Sequence, residues 1–299
     1  MTAHALVAGY TSRLVKGTVS RIEHIDWLRI CLIGLTVAVM FVLLILPLAI
    51  VFVTAFRAGL GTYWSAVTHP HTLAALKLTL IAVFISVPIN VVFGVSAAWL
   101  ITRHNPPGRT VLLSLIDLPF TISPVVTGLM FVLIFGSQSL FGAWLLEHGI
   151  RVVFAVPGIV LATVFVTLPF VARELIPVME AAGPEEELAG VSLGAWGWKL
   201  IRRVTLPSVR WGLAYGIILC TARAIGEFGA VSVVSGHIRG RTNTIPLHIE
   251  VLFNEYQTAA AFAVASLLTL FAVITLVLKE GIVRRMETAS PPDKKEHTR

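Results

Sequence analysis

The sequence predicts an all-α, polytopic membrane protein with six transmembrane helices, and three observations predict it. Of its 299 residues, 56% are hydrophobic and only 13% charged, against roughly 25% charged in an ordinary soluble domain. The mean hydropathy is +0.86. The charges stand between long apolar runs: 27 uncharged residues separate Arg29 from Arg57, 25 separate Lys77 from Arg103, 21 separate Arg151 from Arg173 and 23 separate Glu255 from Lys279. About 20 apolar residues cross the roughly 30 Å of bilayer hydrocarbon, so each run can span. Disorder and a water-soluble enzyme are excluded.

The elements follow in order. The first run starts near Ile30 and is far longer than a signal-peptide core, so residues 1–29 are expected to form a cytoplasmic tail and 30–56 the first span. The second run gives a span over 78–101. The stretch Thr110 to Leu146 holds one charge, Asp117, and is too long for one helix. Its Gly136-Ser137-Gln138-Ser139 segment reads as a turn, leaving a span over 112–135 and a short interfacial piece, Leu140 to Leu146. The fourth span falls at 152–172. Trp211 to Ile238 is interrupted by Arg223 and Glu227 and gives a span over 211–235; the sixth covers 259–279. A transmembrane domain thus occupies 30–282, and 283–299 is expected to be a cytoplasmic tail.

Of 23 Lys and Arg, 17 lie in the two tails and the loops after the second and fourth spans, five lie on the other side and one, Arg223, lies within a span. That asymmetry puts both termini in the cytoplasm. It also explains the net charge of +7 without nucleic acid. Cys31 and Cys220 fall in or beside spans and are expected to be small core residues, not a disulfide. His69 and His71 flank Pro70 in an external loop as solvated residues, and no His pair has metal-ligand spacing within a span. There is no phosphate-binding GxxxxGK[ST] run, Ser-His-Asp set or carboxylate pair to argue for catalysis. Neither metal nor cofactor of its own is expected.

The loop from Arg173 to Arg210 has its own composition. Glu174 to Ala181 extends the fourth span as a helix until Gly183-Pro184 breaks it, and Glu185, Glu186 and Glu187 then suit the positive first turn of a new helix ending near Gly194. Trp196, Trp198, Leu200 and Ile201 form a second apolar set among Lys199, Arg202 and Arg203. On these residues alone the loop is a helical hairpin on the bilayer surface or a docking element for a cytoplasmic partner.

Arg223 and Glu227 share a helix face inside an apolar span, where charges should be paired and turned inward. Three roles stay open: a structural ion pair fixing register, an arginine bordering an anion path, or a pair at the cytoplasmic headgroups. Two nearby glycines, Gly226 and Gly229, could interrupt the helix. Asp117, just before Pro119, could cap a half-helix or pair with a cation, and Ser123-Pro124 marks a further kink whose hydroxyl could line a polar route.

Two resemblances sharpen these choices. Leu188-Ala189-Gly190, three residues, Gly194, nine residues, then Val204-Thr205-Leu206-Pro207 resembles the EAA loop of ABC importer permeases, with Leu188 where that family has Glu and Gly190 where it has Ala. The resemblance implies a coupling helix seated in a cleft of an ATPase subunit, with Glu187, Leu188, Ala189, Gly190, Gly194, Leu206 and Pro207 as coupling residues. Arg223-Ala224-Ile225-Gly226-Glu227-Phe228-Gly229 is similar to a segment of sulfate and molybdate permeases, and its continuation, Ala230 to Gly236 followed by Ile238-Arg239-Gly240, to CysW-like sulfate/thiosulfate permease subunits. Asp117 to Phe120, Ser123 to Val126, Phe165 to Thr167, Pro169 to Val171 and Arg202 to Pro207 match as well.

That resemblance implies the type I importer permease (MetI-like) fold and an inner-membrane subunit, not itself an enzyme, that passes sulfate or thiosulfate. Arg223, Glu227, Ser123, Ser232 and Ser235 become candidates for the translocation path or for a buried pair. The implied partners are a second, CysT/CysU-like permease, two CysA-like ATPase subunits that bind the ATP and Mg, and a periplasmic sulfate- or thiosulfate-binding protein. A molybdate or tungstate permease is the nearest alternative, and an ion-gradient-driven anion carrier a more distant one.

Overall fold

A computed structural model describes the backbone of residues 3–104 and 106–289, with side chains over 27–104 and 106–285. The described residues form helices joined by turns and loops, without a strand: α1 Ala3–Arg57, α2 Leu60–Val67, α3 Pro70–His104, α4 Arg109–Thr121, α5 Pro124–Phe135, α6 Leu140–Glu147, α7 Val156–Ala182, α8 Glu185–Ser192, α9 Trp198–Leu200, a π-helix Ile201–Thr205, α10 Leu206–Ser208, α11 Arg210–Ile225, α12 Gly229–Ser235, α13 Ile245–Asn254 and α14 Thr258–Ala289. The last ten residues of the expected C-terminal tail lie outside the described range.

The chain forms two compact units, residues 1–53 and 54–299. The first is the greater part of α1, which runs unbroken through the expected tail and first span. From Trp27 onward its apolar side chains point in every direction, as suits a helix surrounded by lipid or by other chains. Cys31 is exposed there, so of the two cysteines only Cys220 is a core residue; both are free thiols.

The second unit is built on α3, α7 and α11, whose facing sides bury Val87, Ala98, Val171, Leu175, Met179, Cys220 and Ala224. A neighbouring cluster joins Leu78, Ala82, Ile159, Val166, Ala230, Val234 and Leu247. Lipid tails are as apolar as leucine, so close packing and interhelical hydrogen bonds hold such helices together. Both are present. A Cβ on Gly94 would lie 2.6 Å from Val171 Cγ1, so only glycine lets α3 and α7 approach this closely. Across the same seam Asn90 Nδ2 donates to Thr167 Oγ1 at 2.7 Å and Ser86 Oγ to the Val160 carbonyl at 3.4 Å.

Among the described residues four helices are long and apolar enough to cross a membrane alone: Trp27–Arg57 within α1, α3, α7 and Thr258–Arg285 within α14; counting each bent pair as one span gives up to six. The two interrupted stretches depart from single spans. Residues 112–135 are two helices, α4 and α5, bent by 102°. Pro124 is the cause: it bars the helical conformation at the residue before it, and Ser123 sits at φ −57°, ψ 132°. Residues 211–235 are α11 and α12, separated at Gly226 to Phe228. A further bend of 81° sets α11 off from the helical stretch 198–208. The interfacial piece is α6, and its cap is Ser139, whose Oγ accepts the Gly142 N–H at 2.8 Å.

Candidate functional site: the helix breaks and the 173–210 loop

The break between α11 and α12 is a charged joint. Arg223 lies in the last turn of α11, where the partial negative charge of a helix C-terminus favours a cation, and Glu227 stands just before α12, where a helix start favours an anion. Arg223 Nη1 lies 2.9 Å from Glu227 Oε2, and Glu227 Oε1 accepts the Ala230 N–H at 3.0 Å. The pair is lopsided: the Glu227 side chain is 1% exposed and that of Arg223 35%.

The second break meets this joint. A Cβ on Gly229 would lie 2.8 Å from Pro124 Cβ, and one on Gly128 would lie 2.7 Å from the Ala230 carbonyl oxygen, so small residues let α5 and α12 touch backbone to backbone. Ser123, beside Pro124, is exposed and its hydroxyl makes no capping bond. The structure therefore brings Arg223, Glu227 and Ser123 to one region. It uses the other two hydroxyls locally: Ser232 Oγ donates to the Gly229 carbonyl at 2.8 Å, and the fully buried Ser235 accepts the His237 N–H at 3.2 Å. Asp117 does not cap α5. It pairs with Arg173 Nε at 2.8 Å and, with the Arg109–Glu180 ion pair, clamps α4 to α7.

The 173–210 loop folds by glycine chemistry. α8 ends at Ser192, two residues short of the expected boundary, and Gly194 adopts φ +83°, so its N–H reaches the Val191 carbonyl (2.9 Å) and the Ala195 N–H reaches that of Gly190 (2.9 Å). This is a Schellman closure, which calls for glycine at the left-handed position. Gly190 is buried: a Cβ there would meet Leu200 Cδ1 at 3.0 Å and Val204 Cγ2 at 3.2 Å. Leu188, Ala189, Leu193, Trp196, Trp198 and Pro207 are exposed, an apolar outer face, while Leu206 is half-buried.

Glu187 turns the other way. Of the three glutamates opening α8 it alone is buried, with Oε2 3.0 Å from Arg103 Nε at the end of α3 and Oε1 accepting the Thr205 hydroxyl at 2.9 Å. The carboxylate lacking at Leu188 is thus present one position earlier, pointing into the protein.

Sequence reasoning missed three polar groups. Asn90 and Arg103 lie in or beside an apolar run and show no local sign of partners some 76 to 84 residues away. His248 is the third: its Nε2 sits 3.1 Å from Thr72 Oγ1, and burial, reinforced by His71, His69 and Arg239, holds its pKa down to about 4. Nearby, Thr79 Oγ1 accepts the Ile245 N–H at 2.9 Å and fixes the start of α13 on α3. His69 and His71 are exposed, as expected, and among the described residues no three His, Cys, Asp or Glu side chains are grouped to hold a metal ion.

Residues 90–288 match the family model described as "Binding-protein-dependent transport system inner membrane component". The chain belongs to this family. Among its relatives, the sulfate transport system permease protein CysW of Escherichia coli (strain K12) is 51% identical over 263 residues, 88% of this chain and 90% of that one. The protein of the same name from Synechocystis sp. is 51% identical over 254 residues, 85% of this chain and 92% of its own. The sulfate transport system permease protein CysT of Escherichia coli (strain K12) is 37% identical over 255 residues, 83% of this chain and 92% of its own. The fold of this permease family member is that of a chain in the crystal structure of a bacterial alginate ABC transporter in complex with an alginate pentasaccharide-bound periplasmic protein. The TM-score is 0.71 over 87% of this chain and 95% of that chain, at 17% identity.

Proposed function

We propose that this permease is one of two transmembrane subunits of an ATP-driven importer of sulfate and thiosulfate. The observation that carries the reading is 51% identity across 88% of the chain to a sulfate transport permease, so that likeness spans the helix breaks and the cytoplasmic loop together. The geometry adds a route. A dianion path should attract its cargo without trapping it, because conduction needs sites weak enough to leave. Arg223 suits this: its charge is offset by the buried Glu227, yet a third of its side chain remains accessible beside the exposed Ser123 and the first turn of α5, whose N–H groups lack helical partners.

The outer face of the 173–210 loop, with Leu188, Leu193, Trp196 and Trp198, is the surface for an ATPase subunit, which binds the nucleotide and Mg²⁺. A related, CysT-like permease completes the pore, a periplasmic protein delivers the anion, and both termini face the cytoplasm with most of the Lys and Arg. Closure of the ATPases on ATP would press on the two coupling loops and turn the cavity outward; hydrolysis would reset it.

The test is uptake of labelled sulfate by vesicles containing the purified complex, with binding protein outside and ATP inside. ATP-dependent uptake competed by thiosulfate and not by molybdate is expected. Uptake driven by an ion gradient without ATP, or a preference for molybdate, would overturn the reading.

A further inference from the structure

We propose that Glu187 is the positioning residue of the cytoplasmic loop, tying α8 to the membrane helices so that a push on the loop moves them. This rests on the reading of the loop as the ATPase contact. α8 is a short helix set off at both ends by glycine turns with positive φ, Gly183 at +67° and Gly194 at +83°, so it is not continuous with the helices before and after it. A short helix set off in this way passes a push to the membrane helices only through its side-chain contacts.

Glu187 supplies such contacts from inside. Its carboxylate joins three elements: α8 itself, α3 through Arg103 (3.0 Å), and the π-helix through Thr205 (2.9 Å). Arg103 extends the link to a fourth, since its Nη1 donates to the Met179 carbonyl of α7 at 3.1 Å. The two charged side chains are 9% and 11% exposed, so solvent does little to screen them. On the same face of α8, one turn on, Gly190 rests against Leu200 and Val204, one just before and one within the π-helix. The π-helix leads into the 81° bend before α11, and π-turns recur at functional sites and at helix kinks. Glu187 therefore grips the loop at its junction with α11, the helix that carries Arg223, and at the ends of α3 and α7. Leu188 and Leu193, on the outer surface, are left to touch the partner.

A buried ion pair can often be replaced by apolar side chains of similar volume without loss of stability, which separates mere packing from transmission. The experiment uses the reconstituted complex and measures two quantities: thermal stability, and ATP hydrolysed per sulfate imported. In R103M/E187L the complex should assemble with near-native stability while ATP consumed per sulfate rises about tenfold, within the usual range of coupling between sites. Thr205→Val, which keeps the ion pair and removes one hydrogen bond, should raise the ratio less. A native ratio in R103M/E187L overturns the proposal. If that variant does not assemble, a native ratio in Thr205→Val does so instead. Leu193→Glu separates this from the underlying reading: it should release the ATPase, and if the ATPase stays bound and stimulated, the loop is not the contact.

Discussion

Two Arg–Glu pairs, built from the same chemistry, are placed very differently in this permease. Arg223 and Glu227 are four residues apart and straddle a helix break, whereas Arg103 and Glu187 are 84 residues apart and join four elements. In both, the carboxylate is buried. The arginines differ: the Arg223 side chain is 35% exposed and that of Arg103 9%. A local pair can be assembled from one segment and leave its cation partly exposed, which is what the proposed anion path rests on. A long-range pair encloses both charges inside the protein, which is what the proposed mechanical link rests on. Position, more than residue type, sets the role.

The largest expected effect comes from unbalancing the local pair. Arg223→Ala leaves Glu227 buried without a counter-charge, which should cost about 3–5 kcal/mol. Glu227→Gln leaves the more accessible arginine and keeps an oxygen for the Ala230 N–H, so its cost should be clearly smaller. Thermal unfolding of the purified complex compares them; equal losses would erase the lopsidedness on which the comparison rests.

Gly194→Ala should come next, at about 1–2 kcal/mol for a Cβ at a left-handed position. It should loosen the Trp196–Trp198 face and weaken ATPase stimulation while leaving the Arg103–Glu187 pair intact. A stimulated rate equal to that of the unaltered complex would show that the loop's outer turn and its inner anchor are not separate parts.

The smallest effect concerns a buried group held by a hydrogen bond and no ion pair, His248. Its pKa of about 4 in the folded protein lies below the ordinary 6.5, so between these values the unfolded chain binds a proton that the folded one excludes. The contribution to stability is full above pH 6.5 and falls as pH drops through 4. His69, His71 and Arg239 are the charged groups around it. His248→Asn should flatten this part of the stability profile, and an unchanged slope would place the titration elsewhere.

Much of this was legible in the sequence because a bilayer restricts what a chain can do. Apolar runs marked the four long helices and the two bent pairs. Gly183-Pro184 and Gly194 marked the two ends of α8, while Arg223 and Glu227 stood out as charges where charge is expensive. The breaks were half visible. Ser123-Pro124 and Gly226 announced kinks, but that Pro124 would rest on Gly229 depends on the packing of α5 against α12, which no local pattern records. In the sequence Glu187 is one of three carboxylates at a helix start and, by resemblance, a coupling residue, with nothing to show that it turns inward. Its partner Arg103, at the end of an apolar run, looked like a topology signal, and only the fold brings the two together. Asn90 and His248 were hidden for the same reason.

The central claim is that the Arg223–Glu227 joint serves the anion and the loop serves the ATPase. Its most direct test is R223A/E227Q, which removes the charges together and so avoids a stranded carboxylate. In vesicles with binding protein and ATP, this complex should hydrolyse ATP in response to the loaded binding protein yet import no sulfate above background. Sulfate uptake at the rate of the unaltered complex would contradict the account.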